Sequence, residues 1–247
     1  MRPDGFARVS DVLALPRFKD ADFMKIRNVV LNNDKNRFCL VPSSVNADVP
    51  DTNRIDGIIA SALLELPTSD KIDASAWWIR ANQGHSMRNV TIDMTRLSLE
   101  QLPEVIVHGT YSRAFSGIIE QGLRPMSRQH VHFAETAPED GQVISGMRST
   151  CELLVYVDSR KSMEEGIVFY RSSNGVILTS GIPNYHATNT EDMIISVPPK
   201  VIARIQERRK KKRILFECGE LTSEGQEYLI EVKNEELIRK TKTFKAR

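Results

Sequence analysis

Two stretches near the amino terminus have the hydrophobic spacing of helices. The first occupies residues 8–15, and the second starts at about Asp20, with apolar positions at intervals of three and four residues. The pair Asn32-Asn33 predicts where the second helix ends. Residues 37–41 and 77–81 are short and rich in apolar residues, which predicts two strands. Two helices followed by two strands are compatible with a winged-helix lobe, by analogy alone.

The segment between those strands, residues 42–76, differs from its surroundings. It has three prolines, many serines and aspartates, and a single apolar patch. Loops of this length are uncommon in compact domains and are either functional or disordered. We expect a mobile insertion.

After about residue 102, the pattern changes to short apolar runs separated by turns. A helix is expected over residues 112–121, with Ser112 as its cap and Gly122 at its end. Strands are expected over residues 104–107, 130–134, 152–157, 167–170 and 176–179. Several strands with one clear helix predict an α+β fold built on antiparallel sheet.

A basic run, R-I-Q-E-R-R-K-K-K-R, occupies residues 204–213. We expect it to form a solvated helix, and the alternative is a segment that binds phosphates non-specifically. The tail from Thr222 onward is weakly amphipathic.

Composition narrows the class of protein. The 247 residues are 40% hydrophobic and carry a formal net charge of +2. Cys39, Cys151 and Cys218 are widely spaced, which argues against a disulfide framework and against a zinc site. No apolar run approaches the roughly 18 residues of a membrane span, and the amino terminus lacks the apolar core of a signal peptide. We expect a soluble intracellular monomer without bound metal, in the cytoplasm, the nucleus or both.

Polar residues cluster where predicted strands end, and loops at such positions often carry function. Arg80 leaves its strand into a polar turn, where its guanidinium can present a planar fork to a phosphate. An ordinary surface turn would give the same pattern. The other polar residues of this cluster are Asn82, Gln83, His85 and Ser86.

The tripeptide His108-Gly109-Thr110 is expected to end an apolar strand. A glycine lets a ligand approach the backbone, whose N–H and C=O suit a carboxamide; the alternative is a turn with a hydrogen-bonded histidine. His130 and His132 alternate onto one strand face. No third ligand stands at metal-like spacing, so we reject zinc.

Two further turns complete the set of candidate groups. Residues 145–149 deliver Arg148, and Asn174-Gly175-Val176 reads as a tight turn. The chain has no phosphate-binding loop, no GxGxxG, no GxSxG and no HExxH. The residues alone therefore indicate a two-lobed α+β protein with an arginine- and histidine-lined site, and any NAD would not bind on a Rossmann fold.

Taken in order, these clusters resemble the tRNA 2'-phosphotransferase family. The resemblance covers residues 3–41 and 77–181. The matching strings are DGFARVSDVL, IRANQGHS, VHGT, HVHFA, ISGMRS and SSNGVILT. Six strings in the family's order make chance similarity improbable.

The resemblance implies a fold and a division of the chain. It implies a winged-helix-like lobe that binds RNA over residues 1–100, with the insertion at about 42–76. An ADP-ribosyltransferase-like lobe of antiparallel strands over residues 101–200 would bind NAD, and residues 201–247 would form a basic extension. NAD-site positions of the family fall on His108, Gly109, Thr110, His132 and Val176. Contacts to RNA or phosphate fall on Asn82, Gln83, His85 and Ser86.

The resemblance also implies a two-step reaction on spliced tRNA. The RNA 2'-phosphate attacks the anomeric carbon of the nicotinamide riboside of NAD, and nicotinamide leaves. A hydroxyl of the transferred ribose then attacks the phosphorus, giving ADP-ribose 1'',2''-cyclic phosphate and an RNA with a free 2'-OH. Because the phosphate is already charged, it needs positioning and charge stabilisation rather than a general base. Arg80 and Arg148 match the two arginines that the family assigns to this task.

One family feature has no counterpart in this sequence. The family pattern includes an Arg-His pair on a helix upstream of the DGF string, whereas Arg2 is followed by Pro3. We expect either an incomplete sequence, which we favour, or an enzyme impaired in the second step. Two alternative functions stay open: a module that binds RNA or NAD without turnover, and an enzyme that ADP-ribosylates nucleic-acid phosphates.

Overall fold

A computed structural model describes residues 1–44, 72–84, 87, 90, 94–138, 145–182, 197–208 and 212–245. Most of the predicted insertion, residues 45–71, lies outside the described residues. The chain divides into two compact units. The first contains residues 1–95 and 171–175, and the second contains residues 96–170 and 176–247.

The first unit packs two helices against a three-stranded antiparallel sheet. Its elements are β1 (Ala7–Arg8), α1 (Val9–Leu13), α2 (Phe23–Leu31), β2 (Phe38–Pro42) and β3 (Trp77–Ala81), with strand order β1-β3-β2. Asp22 caps α2 by accepting a hydrogen bond from the Lys25 N–H at 2.7 Å. Phe23 and Trp77 bring α2 onto β3 with ring centroids 5.2 Å apart. Both predicted helices and both predicted strands are confirmed.

The elements that follow along the chain contain most of the strands. They are β4 (Met94–Arg96), β5 (Val105–Thr110), α3 (Phe115–Gln121), β6 (Val131–Phe133), β7 (Leu153–Asp158), α4 (Ser159–Glu164), β8 (Tyr170–Ser172), β9 (Ile177–Thr179), β10 (Ile202–Glu207), β11 (Ile214–Glu217), β12 (Glu220–Leu221) and α5 (Ser223–Lys245). The described part is thus a mixed α and β protein, which is compatible with the predicted α+β class.

A five-stranded sheet with the order β12-β11-β10-β7-β5 is the centre of the second unit. All its neighbouring strands are antiparallel. Its main core contains Ile106, Val155 and Ile205, which are fully buried on one face of the sheet. Strand β6 pairs antiparallel with β9, and Phe133 of β6 joins the same core. His108, Gly109 and Thr110 lie on β5 of this sheet, and His132 lies on β6.

Several local predictions need correction. His108-Gly109-Thr110 forms the end of β5, as predicted, and the strand includes all three residues rather than stopping at Val107. Ser112 does not cap a helix: it starts a 3-10 turn, and its N–H and hydroxyl both donate to the Glu152 carboxylate, at 2.8 and 2.6 Å. His130 precedes β6, so the two histidines do not share a strand. The strand expected at residues 167–170 begins only at Tyr170.

The helix expected for the basic run is wrong. Residues up to Glu207 form β10, which pairs with β7 and β11, and the chain returns as β11 from Ile214. Ile202 and Ile205 are buried in the core, because pairing within the sheet overrides the modest helix preference of lysine and arginine. Of the helices in the described ranges, none is long and apolar enough to cross a membrane.

Candidate functional site

Strand β5 leaves the backbone of Gly109 at the open edge of the five-stranded sheet. Hydrogen bonds alternate in direction along an antiparallel strand. The Thr110 carbonyl accepts from the Glu152 N–H on the β7 side at 2.8 Å, whereas Val107 exchanges two hydrogen bonds with Ala134 on the opposite side. Gly109 is two residues from Val107, so its backbone N–H and C=O point the same way as those of Val107, away from β7. No hydrogen bond within the described residues uses either group.

The absence of a side chain at Gly109 also has a packing reason. A Cβ there would lie 2.4 Å from Cγ and 2.8 Å from Sδ of Met147, and 3.0 Å from Sγ of Cys151. The prediction that a ligand approaches this glycine therefore needs refinement. Met147 covers its side-chain face, and only the backbone edge is open.

His108 is fixed next to β6 by its ring. Its Nδ1 lies 2.8 Å from the carbonyl oxygen of His132. Because a carbonyl only accepts, Nδ1 carries the proton and Nε2 of the neutral ring is an acceptor. Burial lowers the pKa of His108, which keeps the ring neutral at pH 7. The ring also meets that of Phe133 edge-on, with centroids 5.9 Å apart.

His132 is almost completely buried, with 4% of its surface exposed. Burial is the main cause that lowers its pKa to about 3, and the charge of Arg128 adds to the effect. Nε2 of His132 is buried without a hydrogen-bond partner within the described residues. A buried polar atom of this kind costs free energy unless a ligand or water completes it.

The turn that carries Arg148 rests on β6 and on Val176. Gly146 has φ of +83°, and a Cβ there would lie 2.9 Å from the Phe133 carbonyl oxygen and 3.0 Å from Val176 Cγ1. Val176 is completely buried. The next residues of the turn are Met147, which packs on Gly109, and Arg148, which is exposed.

Tyr111 is a site residue that the sequence interpretation missed. Its hydroxyl lies 2.8 Å from Oγ1 of Thr150, and hydrogen bonds from Thr150 and then Arg148 lower the pKa of the phenol. Its only signal in the sequence is its position directly after His108-Gly109-Thr110. Tyr111 thereby links the β5 end to the Arg148 turn.

In the first unit, Arg80 is a buried arginine. It lies on β3 with 8% of its surface exposed. Its guanidinium carbon is 4.7 Å from the ring centroid of Phe6, and Nε is buried without a hydrogen-bond partner. No ion pair of Arg80 occurs within the described residues. Phe6, part of the DGF string, is the aromatic partner that the sequence interpretation did not foresee.

The polar turn after Arg80 is held by its own hydrogen bonds. Asn82 donates its backbone N–H to the Arg37 carbonyl at 2.8 Å and its Nδ2 to the Asn36 carbonyl at 2.7 Å. Oδ1 of the same side chain is buried without a partner. Gln83 is half-buried, whereas the predicted residues His85 and Ser86 lie outside the described residues.

The structure thus places the predicted site residues in two groups. The second unit holds six of them together through the contacts above: His108, Gly109, Thr110, His132, Arg148 and Val176. The first unit holds Arg80, Asn82 and Gln83. In the part of the chain that is described, no three His, Cys, Asp or Glu side chains form a group that could hold a metal ion.

Comparison with known proteins identifies the class to which such a chain belongs. Residues 1–181 match the family model "RNA 2'-phosphotransferase, Tpt1 / KptA family". A "tRNA 2'-phosphotransferase 1" of Danio rerio is 36% identical over 183 residues, covering 73% of this chain and 69% of the relative. The Mus musculus protein of the same name is 33% identical over 227 residues, covering 92% and 76%.

A "Putative tRNA 2'-phosphotransferase" of Schizosaccharomyces pombe is 35% identical over 182 residues, which are 74% of this chain and 42% of that relative. The chain therefore spans less than half the length of the fission-yeast relative and more than two thirds of the two vertebrate ones. It belongs to the RNA 2'-phosphotransferase family.

Proposed function

We propose that the chain removes the 2'-phosphate of spliced tRNA by transferring it to NAD. The products would be RNA with a free 2'-OH, nicotinamide and ADP-ribose 1'',2''-cyclic phosphate, formed through an RNA ADP-ribosylated on its 2'-phosphate. Family membership supports this reaction, and the curated relatives carry the name tRNA 2'-phosphotransferase. The observation that carries the proposal is Arg80, a buried cation without an acidic partner within the described residues.

We assign the first unit as the winged-helix-like, RNA-binding lobe and the second as the ADP-ribosyltransferase-like lobe. Two helices packed on a three-stranded antiparallel sheet support the first assignment. The strand-rich core with its histidine pair supports the second. We expect a monomer that works where tRNA is spliced, in the cytoplasm, the nucleus or both.

The second unit fits NAD at two places. The open N–H and C=O of Gly109 are one donor and one acceptor side by side, as a carboxamide requires. Nε2 of His132 and Nε2 of the neutral His108 ring can hydrogen-bond ribose hydroxyls. Thr110, whose carbonyl is engaged with β7, contributes only its side chain, and Val176 supplies an apolar wall. NAD supplies the ribosyl carbon with its nicotinamide leaving group.

Arg80 and Arg148 have the chemistry to bind the reacting phosphate. A hydrogen bond to a charged group contributes roughly 1.5–3 kcal/mol, so one arginine can account for about tenfold to a hundredfold in rate. Stacking on Phe6 fixes Arg80 before any substrate arrives. Tyr111, whose hydroxyl is also held by Thr150, orients Arg148 through a hydrogen bond. Among the remaining polar residues, Asn82, Gln83, His85 and Ser86 are proposed RNA contacts.

The test is a single-turnover reaction of the chain with NAD and a short RNA bearing one internal 2'-phosphate. The control is the same RNA with a 2'-OH. Formation of 2'-OH RNA and cyclic phosphate supports the proposal. Accumulation of ADP-ribosylated RNA without cyclic phosphate would mean that only the first step occurs. If this adduct is stable, the chain is an ADP-ribosyltransferase that acts on nucleic-acid phosphates. Binding without any reaction would identify a degenerate binding module and reject the proposal.

A further inference from the structure

The basic run divides into two kinds of residue in the structure. Arg213 is a structural cation: it contacts Glu207 at 3.0 Å and Glu231 at 2.9 Å, and its side chain is 9% exposed. These carboxylates raise its pKa above the ordinary value. Its guanidinium also lies over the ring of Tyr228. Arg213 is therefore neutralised internally and is not available to a polyanion.

Arg204 has a different environment. It is the cross-strand partner of Tyr156 on β7, and its guanidinium carbon lies 4.3 Å from the centroid of that ring. Its other cross-strand neighbour is Glu217 on β11. No ion pair between Arg204 and Glu217 occurs within the described residues, and Arg204 stays partly exposed. A stacked arginine keeps its N–H donors directed outward for another group.

Arg208 ties the end of β10 to the turn that carries Arg148. Its backbone N–H donates to the Glu152 carbonyl at 2.8 Å. Its Nη1 donates to the carbonyl of Ser149, next to Arg148, and lies 3.4 Å from Cys151 Sγ. These partners are neutral, so the positive charge of Arg208 is not cancelled by them.

Arg204 lies on the same face of the sheet as the Arg148 turn. Cross-strand partners point to one face, and residues two apart on a strand share it. Arg204 is paired with Tyr156, which is itself paired with Val107, and Gly109 shares the face of Val107. Met147 packs on that face of Gly109. Arg208 directly follows β10 and is four positions from Arg204, which is roughly 13 Å at strand spacing.

We propose that Tyr156, Arg204 and Arg208 form a second RNA-binding surface, which holds the sugar-phosphate backbone of the substrate beyond the nucleotide with the 2'-phosphate. We call it the β10 surface. Spaced cations and one aromatic ring, on the face that carries the Arg148 turn, match the charge and spacing of a single RNA strand. This inference rests on the proposed function, which makes RNA the molecule that is bound beside Arg148.

The experiment compares KM for two substrates with one 2'-phosphate each, a trinucleotide and a full-length tRNA. The β10 surface can contact only the longer one. Arg204→Gln should raise the KM for tRNA, and thus the ratio of the KM for tRNA to the KM for the trinucleotide, about threefold to tenfold. Glu217→Gln, which removes the neighbouring negative charge, should lower the ratio. The matched control is Arg160→Gln, which removes an exposed arginine of α4 and should leave the ratio unchanged.

A binding measurement separates failure of this inference from failure of the proposed function. Fluorescence anisotropy with an unphosphorylated single-stranded RNA needs no turnover. Arg204→Gln should weaken this binding and reduce the slope of log K against log salt by about 0.7, the value for one contact to a single strand. An unchanged slope and an unchanged KM ratio would overturn the β10 surface. If neither substrate reacts but the slope falls, the proposed reaction fails and the surface stands.

Discussion

The polar groups at Arg80 and in the β5 segment around Gly109 differ in charge and in how the protein surrounds them. In the first unit a charged guanidinium is buried against Phe6, and no described carboxylate pairs with it. In the second unit the groups are neutral: an open backbone edge and two histidines whose pKa values are lowered by burial. A buried unpaired charge weakens folding, whereas close packing supports it. Mutations at the two places should therefore separate activity from stability in different ways.

The largest expected effect comes from Arg80→Gln. It should lower the single-turnover rate about a hundredfold, because a charge-assisted contact to the phosphate is lost. Thermal stability should stay the same or rise, since the change removes a buried charge that has no ion pair among the described residues. The measurement pairs the rate with a denaturation curve of the same sample.

Arg80→Lys is the matched control, because it keeps the charge but lacks the planar fork. It should recover part of the rate. If Arg80→Gln instead unfolds the protein, Arg80 has a structural role and the comparison between the two units is wrong.

Gly109→Ala, in contrast to Arg80→Gln, should lower the stability of the protein. The new methyl group would meet Met147 at 2.4 Å, and overpacking of this kind costs about 1–3 kcal/mol of the free energy of unfolding. NAD binding should weaken together with stability, as β5 shifts. Urea denaturation measures the first effect and calorimetric titration the second.

A double-mutant cycle identifies the cause of that loss. Met147→Ala combined with Gly109→Ala should be more stable than the sum of the two single changes predicts, by at least about 0.5 kcal/mol. Additive effects would show that Met147 is not the residue that requires glycine at this position.

The fold and the site also show which features could be predicted from the sequence. Hydrophobic spacing predicted α1, α2, β2 and β3 because each has a clear apolar face that packs locally. The basic run was interpreted as a helix because local composition cannot reveal that β10 pairs with β7. The site tripeptide and its place at the end of β5 were both predicted, but the open backbone edge of Gly109 and the packing of Met147 on it were not.

The residue pattern could not predict the burial and the contacts of each site residue. Arg80 and Arg148 look alike in the sequence, yet one is buried and the other exposed. The partners that make this difference, Phe6 and Tyr111, are aromatic residues whose contacts with the arginines the sequence does not show. Distant segments place them, so they become visible only in the folded chain.

His132 should make stability depend on pH. Its folded-state pKa of about 3 lies below the ordinary value of 6.5, so the unfolded chain binds the proton first as pH falls. The contribution is complete above pH 6.5 and is lost progressively towards pH 3. The loss amounts to about 2 kcal/mol at pH 5. Urea denaturation at a series of pH values measures the slope.

His132→Leu removes the titrating group and tests the assignment. The variant should lose most of the decline in stability between pH 6.5 and pH 5, because leucine binds no proton in either state. A slope that persists in the variant would show that other groups, such as His108 or His130, cause the decline.

The smallest expected effect is that of Tyr111→Phe, which tests how Arg148 is held. Removing the hydroxyl frees the Arg148 side chain from one of its partners, and an exposed contact of this kind contributes little, so the rate should fall about twofold to threefold. Arg148→Gln should cost about tenfold, since the phosphate contact itself is lost. If Tyr111 acts only through Arg148, Tyr111→Phe should have no effect in the Arg148→Gln background. A full loss in that background would mean that Tyr111 touches the substrate itself, and the second unit would then contribute an aromatic hydroxyl as well as neutral groups and an arginine.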